Sequence, residues 1–95
     1  MIAASVTAEM QEVSMYKNRA ANGRNNLCGT NVKSYRLNLM NHPSQKKFAD
    51  MLQIAGLDID KNAVQRIESG ERFVTDIELK VLAKVLNVTY QDLLK

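Results

Sequence analysis

From Gly29 onward, apolar residues recur at helical spacing in short runs, and each run is closed by a residue that stops a helix. In "NVKSYRLNLM", Val32, Tyr35, Leu39 and Met40 fall near one face, and "NHP" closes the run, because Asn tolerates a left-handed cap and Pro follows. Ser44 can cap the next run, "QKKFADMLQIA", in which Phe48, Leu52 and Ala55 stand at i, i+4 and i+7 before Gly56. "LDID" reads as a short connection whose Leu57 and Ile59 plug a core. Asp60 can then cap a helix through Glu68 or Ser69, with Val64 and Ile67 inward and Gly70 free to adopt the left-handed stop. "TDIE" has capping-box spacing, with Thr75 and Glu78 serving each other's backbone NH. The helix it opens puts Leu79, Leu82, Ala83 and Leu86 on one face and Ile77, Val81 and Val85 in a second row. "NVTYQDLLK" restarts at Thr89 and offers Leu93 and Leu94 for docking. With no strand pattern competing, these signals predict five short helices and an all-α fold.

A chain of 95 residues, 45% hydrophobic and 24% charged, suits one small globular domain rather than a disordered chain. Residues 1–28 differ from the rest: "KNRAANGRNN" is polar and aperiodic, so this stretch reads as a flexible N-terminal arm before a domain at 29–95. The sharper alternative is a partner-binding or dimerising helix, since Val6, Met10 and Val13 share helical spacing. "MIAASVTAEMQEV" lacks a basic lead-in and carries Glu9 and Glu12, unlike a secretory leader, and no apolar run approaches a membrane span. The expected location is cytoplasmic, with no membrane partner. Cys28 is alone, so neither an intrachain disulfide nor a cysteine metal cluster can form, and a buried thiol is the simplest reading.

Nothing in the chain has the spacing of an enzyme site. His42 is the single histidine and sits past a helix end before Pro43, where a surface or capping role fits better than catalysis or metal binding. Ser44 lacks a base and is explained as a helix cap, and the dispersed glycines form no phosphate-cradling loop. No cofactor, metal or small-molecule ligand is expected. The net charge of +3 is a mild bias toward polyanions, so a nucleic-acid face would have to come from the arrangement of charges rather than their excess.

One arrangement stands out. Asn62, Gln65, Arg66 and Ser69 follow i, i+3, i+4 and i+7 along the outward side of the Val64–Ile67 helix, with Lys61 flanking them. Asn and Gln match the paired donor and acceptor of adenine in the major groove, and Arg or Lys matches the two acceptors of guanine. Lys and Asn in a first helical turn are also well placed to reach base edges. The same residue types make up any solvated helix face, so the stripe alone carries both readings.

The order of parts adds to it. Ser44-Gln45, Phe48-Ala49, Ile67-Glu68-x-Gly70, Leu82-Ala83-x-x-Leu86 and the trailing "NVTYQDLL" occur in sequence, and together they resemble the lambda-repressor/Cro-type helix-turn-helix family, also called the XRE family. The resemblance covers residues 29–95. It implies a five-helix DNA-binding domain with the helix-turn-helix formed by helices two and three. Lys61, Asn62 and Arg66 match the family's base-facing positions, with Gln65 beside them. Gln45 at the start of helix two would bond a DNA phosphate, Lys46 or Lys47 and Ser69 could add phosphate contacts, and Arg72 would clamp a phosphate after the recognition helix. Arg36 and Glu68 match an arginine and a glutamate that form a structural ion pair in many members.

One departure concerns the turn between helices two and three, which is longer than the family's tight turn by about five residues, a change that costs little in loop closure. We assign the extra length to helix two and the "GLDID" connection. The function implied is a sequence-specific, double-stranded DNA-binding transcriptional regulator acting as a repressor and binding as a homodimer. Ile77, Val81 and Val85 widen the apolar face of helix four, so they are either candidate dimer residues or a second buried side of that helix. The alternative is an antitoxin-like or adaptor module that keeps the fold with weak or no DNA binding, in keeping with Asp58, Asp60, Glu71 and Asp76 near the presented face.

Overall fold

The computed structural model describes residues 22–95. It contains α1 (Gly29–Asn38), α2 (Gln45–Ile54), α3 (Lys61–Ser69), α4 (Asp76–Leu86) and α5 (Tyr90–Leu94), with no strand among the described residues. Helices this short are marginal alone, so tertiary packing must supply what propensity does not. Their starts are set locally. Ser44 Oγ accepts from Lys47 N at 3.1 Å, Asp60 Oδ1 from Ala63 N at 2.9 Å, and Thr75 Oγ1 from Glu78 N at 3.2 Å. Thr75 and Thr89 both open reciprocal capping boxes.

The apolar faces meet in one core of Val32, Phe48, Leu52, Ile59, Val64, Ile67, Leu82, Leu86 and Leu93, joined by Cys28. α3 packs against both α1 and α2, α4 packs on α1 and α2, and α5 braces α1 and α4. Leucine 94 does not share the role expected for it, since it stays 43% exposed while Leu93 is fully buried. A five-residue helix presents one narrow face, and Leu93 occupies it.

Two further expectations are corrected. α1 stops at Asn38, and Leu39 leaves in an extended conformation, so Met40 is off the helix and 87% exposed instead of on its apolar face. The "NHP" stop uses two left-handed residues, Asn41 and His42 (φ 71° and 43°). His42 Nδ1 then lies 2.6 Å from the Leu37 carbonyl oxygen, which gives the imidazole a capping role. The second apolar row of α4 splits as well. Val81 and Val85 pack against the core, whereas Ile77 is 72% exposed.

The residues just before α1 are also held against the bundle. Cys28 is fully buried, and Asn26 is nearly so. Asn25 N donates to Gly70 O at 2.8 Å, and Asn26 Nδ2 donates to Ile67 O and Arg72 O at 3.1 and 2.7 Å. Residues 24–28 therefore belong to the folded domain. The flexible arm and the alternative Val6–Met10–Val13 helix fall on positions outside the described residues.

The lengthened connection is knitted into the bundle. Leu57 N donates to Leu52 O at 2.9 Å, Gln53 Nε2 to Ile59 O at 2.8 Å, and Ile59 sits in the core. α3 thus stays packed on α2 despite the added residues.

Candidate nucleic-acid interface

α3 is amphipathic. Val64 and Ile67 are buried, and Lys61, Asn62, Gln65, Arg66 and Ser69 are exposed on the other side. The five polar positions expected on one face are therefore brought together on one outward surface. Asp60 fastens the N-terminal end. At the other end Gly70 adopts φ 88°, a left-handed conformation that glycine reaches without steric cost. The chain turns back there, and the Glu71 and Arg72 amides both donate to Arg66 O, at 2.9 and 3.1 Å.

A buried polar cluster sets the tilt of this helix. Arg36 Nε and Nη2 donate to Glu68 Oε2 and Oε1 at 2.7 and 3.0 Å, and Arg36 Nη1 donates to Pro43 O at 2.9 Å. Gln45 Nε2 adds a further bond to Glu68 Oε1 at 2.9 Å. Two parallel N–H···O bonds fix both distance and rotation, so α1, the α1–α2 loop, the start of α2 and the end of α3 are tied at one point. The Gln45 side chain is thereby engaged inside the protein. Its backbone NH lies in the first turn of α2, where helical geometry supplies no internal acceptor.

The remaining phosphate candidates are placed differently from one another. Lys46 is largely exposed, with Asp50 3.5 Å away as an i,i+4 neighbour, a pair that contributes little at the surface. Ser69 Oγ donates to Arg66 O at 3.2 Å. Arg72 is bound through both terminal nitrogens to the Glu78 carboxylate, each at 3.0 Å, which offsets its charge. Partial burial works against ionisation of Glu78, but the Arg72 hydrogen bonds and the Thr75 backbone NH outweigh it and hold the carboxyl below its ordinary range.

The C-terminal end of α3 receives a clasp that sequence reasoning missed. Three consecutive residues supply donors to it: Arg24 Nη2 to Glu68 O (2.8 Å), Asn25 Nδ2 to Glu71 O (2.9 Å), and Asn26 Nδ2 to Ile67 O and Arg72 O. Asn26 Oδ1 also accepts from Gly29 N at 2.8 Å. The last carbonyls of a helix have no internal partners, and here side chains more than forty positions away in sequence satisfy them. A β-carbon on Gly29 would collide with the Ile67 carbonyl, so the start of α1 and the end of α3 approach as closely as they do only because residue 29 is glycine. The only sequence signal was the Arg-Asn-Asn run itself, whose side chains can serve backbone acceptors in many places.

A helix presented over a second helix across a capped connection, with its pose fixed by buried polar contacts, defines a helix-turn-helix module. The family model described as helix-turn-helix matches residues 32–93, and the chain belongs to this family of lambda-repressor/Cro-type DNA-binding regulators. No curated protein and no solved structure matches the chain. Among the described residues no His, Cys, Asp and Glu are grouped as a metal site, and no helix is long and apolar enough to cross a membrane.

Proposed function

We propose that this protein is a sequence-specific repressor that reads the major groove of double-stranded DNA with α3. The observation that carries this reading is the outward face of α3, where Lys61, Asn62, Gln65 and Arg66 are exposed together while Arg36 and Glu68 hold the opposite side. Lys61 and Asn62 in the first turn reach base edges, and Gln65 and Arg66 extend the reading along the groove. The Gln45 backbone NH, at the positive end of α2, and Lys46 engage phosphates on one side, and Ser69 lies at the far edge. Arg72 joins them only if Glu78 releases it. Occupancy of a promoter blocks transcription by exclusion.

The partner is DNA bound by a homodimer on paired half-sites. Ile77, Leu79, Tyr90 and Leu94 border an apolar depression of about 440 Å³ between α4 and α5, in which the exposed Ile77 is the most prominent side chain. This surface suits a two-fold contact better than Val81 and Val85, which are partly withdrawn into the core. Exposed Asp58, Asp60 and Glu71 near both ends of α3 favour the competing reading, an interaction module without DNA affinity.

Selection on a random duplex library, followed by titration of the winning sequence, tests the proposal. The expected result is an enriched two-fold-symmetric motif, affinity that falls steeply with salt, and loss of sequence preference in K61A/R66A. Absence of duplex affinity at low salt would sink it in favour of the interaction module.

A further inference from the structure

The clasp that ties residues 24–26 to α3 also leaves a cation where the expected one has been neutralised. Arg72 follows the recognition helix, but its guanidinium is bound at both ends by Glu78. Arg24, contributed from before α1 and outside the family-matched span, lies at the same end of α3. Its Nη2 donates to Glu68 O, a backbone carbonyl, so the bond anchors the guanidinium without cancelling its charge. Among the described residues no carboxylate pairs with it.

Its position is built by two glycines. A β-carbon at Gly70 would come within 2.6 Å of Arg24 Cζ and 2.8 Å of Nε, and one at Gly29 within 2.7 Å of Nη2. Any larger residue at either place would push the side chain out of this slot. Arg24 is only partly buried and lies beside the 70–72 turn. That end of α3 otherwise carries the negative end of the helix dipole and the exposed Glu71, both of which repel phosphate.

We propose that Arg24 is the phosphate-binding cation at the C-terminal end of α3, held by the Gly29–Gly70 slot and taking the place of the neutralised Arg72. This rests on the DNA-binding reading above. The ligand is a phosphodiester of duplex DNA, and the contact adds affinity without sequence preference. A guanidinium anchored through one nitrogen keeps its remaining donors for a phosphate oxygen, and its planar fork suits that acceptor.

The test uses the full chain and a duplex of random sequence, with binding measured by fluorescence anisotropy over a series of KCl concentrations. Each phosphate contact contributes about 0.9 to the slope of log K against log [salt], so R24Q is expected to lower the slope by about that amount while R72Q changes it by less than half as much. R24K is expected to keep most of the slope. A wild-type slope retained in R24Q would mean that Arg24 only caps the helix. Absence of wild-type binding would overturn the DNA-binding reading and this inference together, an outcome distinct from binding with an unchanged slope. Should R24Q fold poorly, the wild-type protein still decides: the Arg24 Nε resonance is expected to shift on adding duplex, with the Arg72 resonance nearly still. The reverse pattern would assign the contact to Arg72.

Discussion

Arg36 and Glu68, 32 residues apart, meet through two hydrogen bonds of 2.7 and 3.0 Å inside the bundle, both nearly inaccessible to solvent. A charge pair removed from water has to be fully bonded to be tolerated. Pro43 O and Gln45 Nε2 supply the additional contacts, so the pair couples the pose of α3 to α1 and α2.

Removing one partner leaves the other charge buried. R36A and E68A are each expected to lower stability by about 3–5 kcal/mol, read from urea unfolding. R36M/E68L is expected to recover a large part of that loss, because neither charge is then stranded. Equal destabilisation by the double and single variants would show that the pair contributes net stability rather than mutual compensation.

The clasp on α3 predicts a second, separable effect. N26A leaves Ile67 O and Arg72 O without their side-chain donor and is expected to cost about 1–3 kcal/mol. Amide hydrogen exchange should accelerate most at residues 66–72, at the end of α3. Uniform acceleration across all five helices would contradict a local clasp.

Glu78 makes stability depend on pH in a defined direction. Its carboxyl is held below the ordinary value of 4.5 in the folded state, so the unfolded chain binds its proton first as pH falls. The contribution is complete above that value and is lost as pH drops through the lower folded value. Thermal unfolding of wild type and E78Q should therefore give melting temperatures that converge as pH is lowered below about 4.5. A constant difference down to strongly acidic pH would exclude the linkage.

Cys28 is fully buried, and burial pushes its thiol up, so two causes withhold the reactive thiolate. Alkylation of the native protein is expected to be slow at neutral pH and to rise in urea along the unfolding curve. Rapid labelling without denaturant would mean that residues 24–28 detach from the domain.

The helix boundaries were legible because their causes are local. Ser44, Asp60, Thr75 and Thr89 sit within three residues of the amides they cap, and Gly70 supplies a left-handed stop through its own backbone. Val64 and Ile67 likewise marked the inward face of α3, and by elimination the outward one. Sequence spacing misled at Met40 because periodicity cannot register that the chain has already left the helix.

What the sequence by itself determined was therefore a set of short capped helices, their apolar faces, and the polar stripe from Lys61 to Ser69. Tertiary structure alone decided which cations remain available to a partner. Arg72 and Glu78 look like separate surface residues in the chain, yet they close on each other. Arg24 to Asn26 look like a linker, yet they fasten the end of α3 from more than forty residues away. Such contacts depend on where folding brings distant backbone carbonyls, and neither residue type nor local spacing encodes that position.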